Sequence, residues 1–220
     1  MQYQNLTIEK IFHAAVKIKG ELVIYLDPFG LPDNSESANL IFITHEHHDH
    51  CSPKDLKKII TKNTTIIATP MCEEELKNLE VKEIIYVKPS DNLEVKNIKI
   101  EVVPAYNINK FRSPGVPFHP PETNKVGYVL EIAGIRIYQA GDPDQIPEMN
   151  NLKNIDLALL PISGIFVMTP EEAAAAANLI KPKIAIPIHY GDYEFNGQVL
   201  GAKTNAEIFK KLCEVRVEII

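Results

Sequence analysis

The sequence predicts an α/β or α+β fold with mixed sheets. Three observations lead there. Short apolar runs of strand length, some alternating and some wholly apolar, recur along the 220 residues. Segments with helix-start signals stand between several of them. Polar residues repeatedly fall just past the C-terminal end of an apolar run, at Asp27, His45, Asp142 and His189, and strand ends are where ligand sites gather in layered α/β folds. No linker is visible, so residues 1–220 are expected to form a single domain.

The elements follow in order. Leu6 to Ile18 and Leu22 to Leu26 read as two β-runs around a turn at Gly20. Asp27-Pro28-Phe29-Gly30 breaks the second, and the loop to Ser37 is rich in Pro, Asp, Asn and Ser. Leu40 to Ile43 is short and wholly apolar, as a strand buried on both faces should be. Ser52-Pro53-Lys54-Asp55 supplies an N-cap, Pro at N1 and an acid at N3, and opens a helix to about Thr61. Thr65 to Ala68 is a strand, Met71 to Leu79 a helix, Glu83 to Val87 a strand and Ile98 to Val103 another. Ala105 to Asn124 is long, irregular and carries four prolines, a length that usually marks function in a compact domain. Val126 to Ile132 and Ile135 to Gln139 pair across Ala133-Gly134. Ile155 to Pro161 is a buried strand. Thr169-Pro170-Glu171-Glu172 is a capping box for an Ala-rich helix to Ile180. Ile184 to Ile188 is a strand ending at His189. Thr204 to Cys213 is a helix with a second Thr-x-x-Glu start, and Val215 to Ile220 is a last strand.

Composition narrows the function. Hydrophobic residues make up 45% and charged residues 24%, with a net charge of −6. An acidic chain without a basic face argues against nucleic acid or an anionic membrane as partner. The first ten residues are polar and mixed, so no secretory leader is expected. The three cysteines, Cys51, Cys72 and Cys213, are odd in number and scattered, which is no disulfide framework. A cytoplasmic protein is expected. A terminal edge strand such as 215–220 leaves room for a homo-oligomer.

Four of the seven histidines fall within six residues, in His45-Glu46-His47-His48-Asp49-His50. They lie between a buried strand and a capped helix. His45 and His47, two apart at the mouth of a strand, can share a direction. Asp49 and His50, in the turn before the helix, can face a second point. Imidazole and carboxylate suit zinc, manganese, iron or nickel. One centre takes about four ligands when structural and about three when it also holds water, so the stretch divides naturally into two and two. Structural zinc favours cysteine, and there is no Cys-x-x-Cys here.

His45-x-His47-x-Asp49-His50 resembles the metal-binding signature of the metallo-β-lactamase superfamily, and the resemblance spans most of the chain. Asp27 is similar to the family's first motif, an acid that braces the metal loop. Gly141-Asp142 is similar to the motif with the metal-bridging carboxylate. Ile186 to Gly191, with His189, is similar to the last motif, whose histidine completes the second metal. Phe12-His13-Ala14, Tyr25-Leu26-Asp27-Pro28, Val103-Pro104-Ala105-Tyr106 and Leu160 to Gly164 resemble the branch with ascorbate-6-phosphate lactonase and metal-dependent hydrolases of unassigned substrate. The resemblance implies a four-layer αββα sandwich of two mixed sheets flanked by helices. One departure stands out: where the family places a third-motif histidine, this chain has Asn107. His119, in the Pro-rich loop, is the nearest alternative, and Asn107 or water is the other.

The implied centre holds two divalent ions, zinc before manganese, iron or nickel. His45, His47 and His119 would serve the first ion, Asp49, His50 and His189 the second, and Asp142 would bridge. Asp49 is the expected general acid–base. A water acidified to a pKa of about 7 would attack an ester, lactone or phosphoester bond of a small molecule. Asp27 and His13 are expected as supporting residues, His48 beside the ligands or in solvent, Cys51 as a small buried residue, and Asp144 and Asp192 as supporting or solvated acids. Tyr106, Phe111, Phe118, Tyr190 and Tyr193 stand on loops able to wall a pocket. Two other readings remain. One is redox chemistry at non-haem iron, disfavoured because flavodiiron-type relatives carry Glu where His47 stands. The other is a metal-binding module without catalysis, motivated by Asn107.

Overall fold

The structure, a computed structural model, describes every residue except Asp192 and Asn196, and only the backbone of Gln198. The expectation for Asp192 therefore lies outside the described residues. The chain divides into two compact units, one of residues 1–87 with Ile220 and one of residues 88–219. Among the described residues each contains one seven-stranded mixed sheet.

In the first unit the strands are β1 (Gln2–Tyr3), β2 (Leu6–Phe12), β3 (Ala15–Lys19), β4 (Val23–Leu26), β5 (Leu40–Phe42), β6 (Thr65–Ala68) and β7 (Glu83–Tyr86). They lie side by side in chain order. Pairing is antiparallel from β1 to β4 and parallel from β4 to β7. Parallel neighbours need crossovers. Between β5 and β6 the crossover is α1 (Pro53–Ile59), between β6 and β7 a 3-10 turn, Pro70–Cys72, running into α2 (Glu73–Leu76), and β4 reaches β5 through the loop of residues 27–39. Leu56 and Ile59 of α1, with Cys72 and Leu76, bury their side chains among Ile41, Ile43, Ile66 and Ala68. Ser52 caps α1 as its sequence predicts, its side chain accepting from the Asp55 N–H.

Two expectations change here. The run from Leu6 to Ile18 is a hairpin, with Phe12 paired to Ala15 and His13 at φ 49°. The turn has no Gly, Asn or Pro, so its chemistry is invisible in the sequence. The helix expected over Met71–Leu79 holds α geometry only over Glu73–Leu76. The Leu79 N–H bonds Leu76 O, three residues back, which tightens and ends the turn.

The second unit holds β8 (Asn92–Val95), β9 (Ile98–Pro104), β10 (Phe111–Ser113), β11 (Val116–Pro117), β12 (Val126–Ile132), β13 (Ile135–Gln139), β14 (Leu157–Pro161), β15 (Ile184–Ile188), β16 (Glu194–Phe195), β17 (Gln198–Val199) and β18 (Arg216–Val217). Its sheet runs β18-β15-β14-β13-β12-β9-β8, and β10/β11 and β16/β17 are separate two-stranded hairpins. Pairing is antiparallel from β8 to β13 and parallel from β13 to β18. Residues 133–134 make a two-residue turn with φ 50° at Ala133 and 80° at Gly134, the type I′ geometry that matches strand twist. Gly127 in β12 has a different reason to be glycine. A Cβ there would stand 2.7 Å from the Gln139 carbonyl oxygen and 2.8 Å from that of Ala140.

α3 (Pro170–Ile180) and α4 (Thr204–Leu212) cover this sheet's parallel half. Ala173, Ala174, Ala176 and Ala177 are buried with Phe209, Ile146 and Met149; side chains this small let a helix lie close. The Thr169–Glu172 capping box is formed in both directions. The second expected box is absent. Lys203 is the N-cap of α4 and makes no side-chain cap bond, so Thr204 sits inside the helix. The last strand shrinks from 215–220 to Arg216–Val217. β8, not anticipated, alternates over only four residues and turns through Lys96 and Asn97 at φ 51° and 63°. Among the described residues no helix is long and apolar enough to cross a membrane.

Candidate metal centre

Both sheets change from antiparallel to parallel pairing, and in both the chemistry-bearing residues follow the strands at or beside that change. In the first unit Asp27 follows β4, and residues 45–50 follow β5. The Asp27 carboxylate is the anchor. It accepts from the Thr44 N–H at 2.8 Å and lies 3.0 Å from the Thr44 hydroxyl. It also lies 3.0 Å from His50 Nδ1. His50 Nδ1 must then carry the proton, which leaves a lone pair on Nε2 that could serve a metal. Thr44 Oγ1 also lies 3.0 Å from His45 Nδ1. With the hydroxyl proton given to Asp27, His45 donates from Nδ1 and keeps a lone pair on Nε2. Asp27 and His50 are fully buried, so their orientation is fixed by packing as well as by these bonds.

The Nε2 ends of these imidazoles lie near further donors. His45 Nε2 is 3.1 Å from His47 Nδ1. Asp49 Oδ2 is 3.4 Å from His13 Nε2 and 3.9 Å from His50 Nε2. His13, in the unforeseen hairpin turn, is thus nearer the Asp49 carboxylate than His50 is.

In the second unit Asp142 follows β13, Ser163 follows β14 and His189 follows β15. Asp142 Oδ2 is 3.3 Å from His189 Nε2 and 3.9 Å from His119 Nε2. Ser163 Oγ holds His189 Nδ1 at 3.2 Å. His119 and His189 are buried, as is Asp142.

These spacings pass a simple test. Two nitrogens of one tetrahedral ion, each about 2.0–2.1 Å from it, lie about 3.3 Å apart. The 3.1 Å of His45–His47 and the 3.3 Å of His189–Asp142 match that edge. The donors are neutral imidazole nitrogens and carboxylate oxygens, the set that suits zinc and its neighbours. Three of these residues, His13 (φ 49°), Asp27 (φ 44°) and His189 (φ 58°), hold left-handed backbone. That conformation costs a non-glycine residue energy and clusters at functional sites.

The remaining candidates separate clearly. The His48 side chain is 58% exposed, the solvent position among those expected of it. Cys51 is buried in the apolar cluster beside Cys72, as a small core residue. Its contact with the Cys72 thiol, together with burial, pushes its pKa far up and keeps it a thiol. Asp144 is buried and structural, accepting from the N–H groups of Ile108 and Asn109 at 2.6 and 2.7 Å. Tyr106 donates to Glu148 at 3.0 Å. Phe118 packs edge-on to Phe166, and Phe195 lies between Phe166 and Tyr193. Thr44 and Ser163 are the supporting residues the sequence did not disclose. Single hydroxyls after strands are too common to signal anything.

The beta-lactamase superfamily domain model matches residues 7–189. A Thermococcus onnurineus protein named a metal-dependent hydrolase is 34% identical over 224 residues, 94% of this chain and 92% of that one. A Thermoplasma acidophilum protein of the same name is 32% identical, over 87% of this chain and 86% of its own. The crystal structure of a candidate metal-dependent hydrolase from Parabacteroides distasonis superimposes with a TM-score of 0.82. It is 34% identical and covers 97% of this chain and 92% of that chain. The chain belongs to the metallo-β-lactamase superfamily, and its two mixed sheets with flanking helices are that superfamily's fold.

Proposed function

We propose that this metal-dependent hydrolase adds water across an ester, lactone or phosphoester bond of a small molecule, as a single domain of residues 1–220 holding two divalent ions. Zinc is the first choice of metal. His45, His47 and His119 would hold one ion, Asp49, His50 and His189 the other, and Asp142 would contribute to both. The observation that carries this is the coordination spacing of paired donors, 3.1 Å between His45 and His47 and 3.3 Å between His189 and Asp142. Each set alone is short of the ligands two ions need, and the family's motifs supply both sets together.

Ions bound there supply Lewis acidity and lower the pKa of a water ligand to about 7. The chain does the rest. Asp27 and Thr44 hold His50 and His45 in the tautomer that presents Nε2, and Ser163 orients the His189 ring through Nδ1. Asp49 takes the proton of the attacking water at a carboxylate oxygen and returns it to the leaving group, with His13 fixing its orientation. The net charge of −6 favours a small substrate over a polyanion. A cytoplasmic location belongs to the same proposal, supported by three cysteines that are all free.

The test joins metal analysis to a substrate screen. Reconstituted protein is expected to hold two metal equivalents and to turn over at least one of three substrate classes, lactones, phosphodiesters and thioesters. His45→Ala and Asp142→Asn should each lower the bound metal. Unchanged metal in both variants would sink the ligand assignment. A single bound iron with oxygen uptake would replace hydrolysis by redox chemistry, and two bound ions without turnover would leave a binding module.

A further inference from the structure

Asn107 stands where the family's third-motif histidine is expected, just past β9, and it is buried, with 3% of its surface exposed. Its side chain is fully engaged. Nδ2 donates to Asp144 Oδ1 at 3.3 Å and to the Phe166 carbonyl at 3.1 Å. Oδ1 accepts from the His119 backbone N–H at 2.9 Å and lies 2.8 Å from His119 Nδ1. The Asn107 N–H closes the pair by donating to the His119 carbonyl at 2.9 Å.

This pattern fixes which way the amide points. Turned over, Asn107 would set its oxygen against a carboxylate and a carbonyl, and its NH2 against the His119 N–H. Both sides of the amide reject that arrangement. With Oδ1 facing His119, an imidazole nitrogen 2.8 Å away must be a donor. The proton therefore sits on Nδ1 and the lone pair on Nε2. Nε2 is the atom turned toward Asp142, at 3.9 Å. Asn107 itself has no lone pair aimed elsewhere and so is not the replacement ligand.

We propose that Asn107 is a positioning residue. It ties His119 into the place of the missing histidine across twelve residues of loop, and sets its tautomer so that Nε2 is the ligating atom. Asp144 is the far end of the same device. It receives the N–H groups of Ile108 and Asn109 and the Asn107 amide, so the loop start, the amide and the imidazole form one chain of hydrogen bonds. Lys110 and Asn109 then tie this loop to Glu172 of α3, at 2.6 and 2.8 Å. The inference rests on the reading of His119 as a ligand, and deepens it.

The experiment uses the full chain with 15N-labelled histidine, metal-free, with the His119 ring signals assigned by their loss in His119→Ala. The wild type should show His119 protonated at Nδ1 alone. Asn107→Ala should show both tautomers, and calorimetric titration with zinc should show one of the two equivalents bound about 10- to 100-fold more weakly. Asn107→Asp alone would set its second oxygen against Asp144 Oδ1, so it is made together with Asp144→Asn; this exchange keeps oxygen acceptors for both His119 donors and should keep the Nδ1–H form. Finding the wild-type ring protonated at Nε2 would overturn the proposal. So would a folded Asn107→Ala protein with the single tautomer and full affinity. If Asn107→Ala does not fold, loss of the Nδ1–H form in the folded Asn107→Asp/Asp144→Asn exchange overturns it instead. Full zinc affinity in His119→Ala would defeat the ligand reading separately, with the tautomer spectra still judging Asn107.

Discussion

Asp55, five residues past the histidine cluster, ties the start of α1 to the loop after β4. It accepts from the Ser52 hydroxyl at 2.9 Å and from the N–H groups of Gly30 and Leu31 at 3.1 Å, with Lys58 also at 3.1 Å. Burial raises its pKa, but Lys58, Ser52 and the two N–H groups more than offset this, so it lies below the ordinary value. A carboxyl with its folded pKa below the unfolded one, about 3.9, adds stability above that range. The contribution disappears as pH falls through the folded value. Asp55→Ala should therefore cost about 2 kcal/mol near pH 7 and very little at pH 2, read from urea midpoints across pH. Under the proposed function Asp27 would act on metal binding instead, through His50. Asp27→Asn loses the anion that receives His50 Nδ1–H and should weaken zinc binding about 10- to 100-fold, measured by competition with a chelating dye. At this scale the sequence was legible where chemistry is dense. Residues 45–50 announce themselves by crowding. His119, Thr44 and Ser163 do not, because their roles come from a loop path and from hydroxyl angles that no spacing encodes.

The two Thr-x-x-Glu starts make a matched test of what a motif means once the chain has folded. Thr169 accepts from the Glu172 N–H and the box is closed, while Thr204 follows its cap and bonds no free N–H. Thr169→Ala should cost about 1 kcal/mol, and Thr204→Ala no more than a few tenths, both from thermal or urea unfolding. Gly127→Ala should cost about 1–3 kcal/mol, because its Cβ meets two carbonyls of the chain leading to Asp142. Metal affinity should fall with it if that chain is displaced. The buried strands β5, β6, β12, β14 and β15 were readable from their apolar runs, as were α1 and α3 from caps and prolines. The hairpin at His13 and the strand β8 were not. The first lacks any turn residue, and the second is too short for its alternation to stand out.

At the scale of the whole chain, bound ions act on stability by mass action. Ligand at about 100 times its dissociation constant adds about 2.7 kcal/mol per site. Removing metal with a chelator should lower the calorimetric unfolding temperature by several degrees, and zinc should restore it. A chain with Asp142→Asn should respond less. The order of strands around each sheet was not legible in the sequence. That β8 and β9 lie beyond β12 is settled by pairing between distant segments, whereas the mixed character of the sheets followed from alternating runs and helices. The left-handed backbone at His13, Asp27 and His189 has a further consequence, which concerns heredity. Each such residue carries a penalty of about 1–3 kcal/mol, which the proposed metal chemistry would justify at these three positions. A lineage relieved of that chemistry, or a library bred for heat tolerance without an activity screen, should exchange these three residues early for glycine or asparagine. The sequence would then record the loss of catalysis first at its turns.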